Sequence, residues 1–182
     1  MKGHIFNLLE RFIVETAGAG ACEKILDSCE FEGNGVFVRP GNYPDSDLVE
    51  LVNETVDQLG LTVEQAHLAF GEWIFPHLAK LVPSEMVDVG HPKKFLMTLN
   101  EIHEVELKKL WPDAEPPKFY CEDMGPDSMT FTYDSPRQMF DLVDGVLKSV
   151  AKYYSVPIRW EKKFREGDAG YRVCQFDLVF EA

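Results

Sequence analysis

Four residues stand out for the chemistry that their types and spacing allow: His103, Tyr133, Ser135 and Arg137. His103 lies in a segment, residues 95–107, whose apolar positions recur at helical spacing. It shares a face with Leu96, Leu99 and Leu110, and a polar ring on such a face needs a partner. Two readings follow. One is a core histidine bonded to a carbonyl; the other is an axial metal ligand. Tyr133, Ser135 and Arg137 occupy alternate positions, which point the same way in an extended segment. Pro136 biases Ser135 toward that conformation. A phenol, a hydroxyl and a guanidinium fork suit a carboxylate or a phosphate. The plainer reading is an N-cap, a packed tyrosine and a surface arginine. Haem iron accepts a single protein imidazole, and haem offers two propionates to anchor, so the four residues together are compatible with haem.

The remaining candidates are weaker. His4, His67, His77 and His91 show no HxxxH or HExxH spacing, which leaves a zinc or di-iron site little support. Cys22, Cys29, Cys121 and Cys174 include no CxxC pair and read as reduced thiols rather than a disulfide framework. Cys22 and Cys29 are two helical turns apart, and a redox role for them is weakly motivated. Trp73, Trp111 and Trp160 read as core. No catalytic triad, phosphate-binding glycine loop or distinct carboxylate pair is visible, so no enzyme is expected.

Those residues need a scaffold, and the chain can build one. Its 182 residues, 45% hydrophobic and 27% charged, suffice for one domain with a sizeable core. A net charge of -13 argues against nucleic-acid or membrane-surface binding, which require basic patches. Charge arrives too early in the first residues for a signal peptide, and no apolar run reaches spanning length. A cytoplasmic protein is expected.

Helices are predicted over 4–17, stopped by Gly18, and over about 20–29. Residues 31–40 read as loop. Asp45 or Ser46 can cap a helix that runs to Leu59 and closes at Gly60. Thr62 to Gln65 has capping-box form and opens a helix carrying Ala66, Ala69, Phe70, Trp73 and Ile74, with a kink expected at Pro76. The helix bearing His103 starts after Pro92 and stops before Pro112. Residues 128–133 alternate, placing Met129, Phe131 and Tyr133 on one face. Ser135 as N-cap and Pro136 in the first turn start a further helix, whose positive end would add to the anion site. Phe140, Val143, Leu147, Val150 and Tyr154 run down its inner face. Two strands follow, near 155–164 and 171–180, the second with Cys174, Phe176, Leu178 and Phe180 on one face. Helices crowd the first two thirds and strands the last third, so the fold class is α+β in a single domain, 1–182.

The chain also resembles a known family. Met1-Lys-Gly, Ala69-Phe70-Gly71-Glu72, Phe95-Leu96-Met97 leading to His103, Pro116-Pro117 and Tyr133-x-Ser135-x-Arg137 together are similar to H-NOX domains. These are haem–nitric oxide/oxygen binding domains related to the haem domain of soluble guanylate cyclase. The similarity runs over the whole chain. It implies seven helices and a four-stranded antiparallel sheet, with haem b between an N-terminal helical part and a C-terminal part. It implies His103 as the proximal iron ligand and Tyr133, Ser135 and Arg137 as the propionate anchor. Pro116 matches a proline that presses on the haem, and Ile5 matches a distal contact. Val146 and Met97 are further pocket-lining positions. Oxygen-binding members carry a distal tyrosine, whose position here is Leu142; the two positions that support it are Leu9 and Ile74. An apolar pocket without a donor favours NO and CO over O2. Phe140 and Tyr153 are the nearby aromatics, but Tyr153 lies about three turns beyond Leu142, too far to reach the gas. Where some members bind zinc, only Cys174 matches; Met139 and Phe164 stand at other ligand positions, so no zinc is expected.

The implied function is a gas sensor in a bacterial cytosol that releases His103 when NO binds. With no effector domain before Ala182, its output is expected in a separate histidine kinase or cyclic-di-GMP synthase or phosphodiesterase. The rivals are an oxygen sensor or carrier of the same fold, and a haem-free thiol-redox or interaction module.

Overall fold

The computed structural model describes residues 1–181. Ala182, the last residue of the expected domain, lies outside the described residues. The chain falls into two compact units, Met1–Phe70 and Gly71–Ala182, with the boundary inside one helix.

The first unit holds helices α1 (Gly3–Ala17), α2 (Ala19–Ser28) and α3 (Asp45–Leu59), and the opening turns of α4 (Val63–Ala79). α1 buries Leu8, Leu9 and Ile13 of its periodic stripe and Phe6 beside them, while Ile5 and Phe12 of that stripe are half-buried. Phe6 stacks on Phe37 with ring centroids 4.0 Å apart, and Tyr43 meets both edge-on. This aromatic group fastens the 31–44 loop to α1. Gly3 is required there, because a Cβ would collide with the Val38 carbonyl and the Tyr43 ring.

The caps follow the sequence in part. Thr62 N–H donates to Gln65 Oε1 (2.9 Å) and Gln65 N–H donates to Thr62 Oγ1 (3.1 Å), the reciprocal capping box. Gly60 ends α3 in the left-handed region, φ 66°. Asp45 and Ser46, however, do not cap α3. Pro44 holds the cap position, and Asp45 lies in the first turn, where its charge suits the helix dipole. The Ser46 hydroxyl instead donates to Glu32 (2.6 Å). Of the α4 residues, Ala66 and Phe70 are buried and Ala69 is exposed.

The second unit holds the rest of α4, then α5 (Ser84–Val87), α6 (Pro92–Glu101), a π turn (Ile102–Glu106) and α7 (Leu107–Leu110). His91 caps α6, accepting from Lys93 N–H (3.2 Å), with Pro92 in the first turn. Strands β1 (Lys118–Gly125) and β2 (Ser128–Asp134) form a hairpin. After α8 (Phe140–Tyr154), β3 (Ile158–Glu166) and β4 (Arg172–Phe180) form another. The sheet order is β1-β2-β4-β3, with every pair antiparallel. Periodicity revealed three of these strands. β1 was hidden because, of its side chains, only Phe119 is buried, so it shows no alternation.

One sheet face carries Phe131, Cys174, Phe176 and Leu178, and α8 lays Val143, Leu147 and Val150 into the same core. The α6–π–α7 run is one continuous rod. Counted so, the described residues hold seven helices and a four-stranded antiparallel sheet. The fold is α+β.

Candidate functional site

His103 sits inside the π turn, where Leu107 N–H donates to the Ile102 carbonyl five residues back. The turn inserts a residue, which rotates everything beyond it by roughly 100°. Leu110, expected on the apolar face with His103, is therefore turned outward and 50% exposed. Leu96 and Ile102 stay buried.

The imidazole has one decisive bond. Its Nδ1 lies 3.1 Å from the Pro117 carbonyl oxygen. A carbonyl only accepts, so Nδ1 carries a proton, and in the neutral ring Nε2 then keeps its lone pair. Burial lowers the pKa of His103, against the smaller opposing pull of the Pro117 bond and Glu104. A neutral imidazole with a free Nε2 and a second-sphere carbonyl on Nδ1 is the form that ligates a metal.

The proline pair also touches the other half of the motif. Arg137 Nη1 donates to the Glu115 carbonyl (2.9 Å), two residues before Pro117. Residues 115–117 thus join the histidine to the arginine through backbone carbonyls, with Pro116 half-buried between them. Phe119 makes a second link, its ring 5.3 Å from His103 and 5.7 Å from Tyr133. Sequence reasoning missed Phe119, whose strand gave no periodic signal.

Tyr133 and Ser135 are buried. Burial raises the tyrosine's pKa, while hydrogen bonds with Ser135 and the Met139 backbone pull it down. The expected helix start at Ser135 is not found. Ser135 Oγ accepts from Arg137 N–H (3.3 Å) in a turn, Gln138 takes a left-handed φ of 49°, and α8 begins only at Phe140. The helix end invoked for the anion site is thus displaced by a full turn, and the tripod relies on its own side chains.

On α8, Leu142 and Val146 are half-buried. Gly71 of α4 packs directly against this helix: a Cβ there would strike the Leu142 carbonyl oxygen and approach Gly145 Cα to 2.9 Å. Ile74 is buried one turn further along α4. Tyr153 OH donates to Asp88 (2.9 Å), which commits its phenol elsewhere. Phe140 meets Tyr133 and Phe164 edge-on. Met97 on α6 is 47% exposed. In the first unit, α1 carries Ile5 half-buried and Leu9 buried.

The cysteines are free, and none is activated. Burial first, then Glu50 and Glu54, pushes the Cys29 thiol up to about 12; burial likewise raises Cys22, Cys121 and Cys174. Cys174 faces the core opposite Phe164, over which Arg172 lies at 4.3 Å. Among the described residues, no three His, Cys, Asp or Glu side chains gather as a metal-binding group.

Comparison with known proteins bears on the family and the fold. Residues 2–162 match the family model described as Haem-NO-binding. The chain belongs to the Haem-NO-binding family. A Caenorhabditis elegans protein named soluble guanylate cyclase gcy-37 is 24% identical over 159 residues, which cover 84% of this chain and 22% of that protein. Two solved H-NOX structures share the fold along the whole chain. The Fe(II) unliganded protein from K. algicida has TM-score 0.84 and 23% identity, with 97% of that chain covered. The S. oneidensis protein in its Fe(II)NO state has TM-score 0.87 and 22% identity, with 100% covered. As a Haem-NO-binding domain, this chain is a haem-based gas sensor rather than an enzyme. No described helix is long and apolar enough to cross a membrane.

Proposed function

We propose that this Haem-NO-binding domain senses nitric oxide, and also binds CO, at a haem b whose iron His103 ligates. The observation that carries the reading is the Nδ1 bond from His103 to Pro117, which in the neutral ring puts the lone pair on Nε2. The residues present fit the group. When bound, haem supplies a ferrous iron that takes diatomic gases. Tyr133, Ser135 and Arg137 receive the propionates, and Arg137 is held for this by the Glu115 carbonyl. Pro116 and Met97 contact the macrocycle, with Ile5 and Val146 as further lining residues. On the gas side the resemblance assigns Leu142, with Leu9 and Ile74 in support. All three are aliphatic and offer no donor, and Tyr153 is engaged with Asp88. NO and CO need no such donor, whereas O2 gains from one. His103 would be the ligand given up when NO binds, and a separate effector, a histidine kinase or a cyclic-di-GMP enzyme in a bacterial cytosol, would read the change.

An absorption spectrum of the reduced, haem-loaded protein tests this. The Soret band is expected to shift on adding NO or CO and to stay unchanged in air. A stable complex in air would sink the NO-selective reading. Leu142→Tyr is expected to create oxygen binding.

A further inference from the structure

A charged cluster centred on one buried carboxylate joins α8 to β3 and has no part in the site described above. Asp144 of α8 is 8% exposed. Its Oδ1 accepts from the Trp160 indole N–H and its Oδ2 from Lys162 Nζ, both at 2.6 Å. Lys162 reaches Asp141 as well (3.2 Å). Both β3 residues lie on the inward face of the strand, and α8 packs against β3. Lys162 keeps part of its side chain in water whereas Asp144 is buried, so removing the lysine would leave the carboxylate's charge unpaired.

The helix geometry gives the cluster a direction. Leu142 and Val146 each lie two residues from Asp144, about 200° around the helix. They therefore sit on the side opposite the cluster, where the backbone of Gly71 meets Leu142 and Gly145. α8 is fifteen residues of unbroken helix. A push on Leu142 moves it as a rod, and the clip on its far side passes that motion to β3. Apolar contacts from Val143 and Leu147 resist separation but slide; a two-pronged carboxylate bond fixes both register and rotation.

We propose that Asp144 is a positioning residue that couples the gas-facing side of α8 to β3, through Trp160 and Lys162. This rests on the reading that Leu142 lines the gas pocket, and it identifies β3 as the surface through which the state of the pocket leaves the domain.

The test is amide hydrogen exchange on this chain in its haem-loaded ferrous form, with and without NO, while the Soret band is monitored. In the wild type, NO is expected to change exchange in α8 (140–154) and in β3 (158–166). In Asp144→Asn, which keeps one acceptor but loses the charge, the α8 change is expected to remain and the β3 change to be lost. Lys162→Met should do the same and serves if the first variant fails to fold. A merely structural role would alter β3 exchange equally with and without NO. That result, a wild-type β3 that ignores NO, or a variant that keeps its full NO response, overturns the proposal while the gas-sensing reading stands. If the Soret band itself ignores NO, the gas-sensing reading falls and the coupling falls with it.

Discussion

One carbonyl fixes how the His103 ring is held. The Pro117 oxygen selects the tautomer of the neutral ring, and burial lowers the pKa of the imidazole. His103→Gly removes the protein ligand without adding a clash. It is expected to lose the haem absorption of the purified protein and to regain it when imidazole is supplied. Normal haem loading without imidazole would remove His103 from the assignment. His4 of α1 is a different case. Burial, and then the Arg39 charge, lowers its pKa from 6.5 to about 4. The unfolded chain therefore takes up this proton before the folded one does. The contribution is whole above pH 6.5 and is lost as pH falls toward 4. Denaturation midpoints should fall less steeply across that window in His4→Gln than in the wild type; equal slopes would show that His4 is not the group responsible.

At the scale of elements, the caps are where local sequence acts most directly. Gln65→Ala breaks one arm of the capping box and leaves Thr62 N–H to water. A loss of about 1 kcal/mol is expected by urea unfolding, since the site is exposed. Ser135 shows the same kind of signal failing. Its residue type and the following proline are a strong helix start, yet its hydroxyl is taken by Arg137 N–H and its neighbour Tyr133 is drawn into the core. Tertiary burial of Tyr133 outweighs a cap worth about 1 kcal/mol. The π turn is likewise silent in the sequence. Residues 92–110 carry one helical pattern, and nothing in it marks where a bond skips to the fifth residue.

At the scale of the molecule, the second unit is held by the layer of α8 on the sheet. Leu147 is fully buried between them. Leu147→Ala is expected to cost about 2–5 kcal/mol, read as a lowered denaturation midpoint. A loss under 1 kcal/mol would mean that α8 is not a fixed part of this core. The cluster at Asp144 makes the layer more than apolar, because it adds a directional bond to a contact that could otherwise slide.

The sequence by itself determined most helices and three of the four strands. Those features rest on periodicity, caps and alternation, which are local and survive in one dimension. Only the tertiary structure decided that Pro117 and Glu115 tie His103 to Arg137, that Phe119 stands between His103 and Tyr133, and that Asp144 binds Trp160 and Lys162. Each is a contact between residues 14 or more positions apart. No local pattern encodes such a pair, because its energy appears only once the chain between the partners has folded.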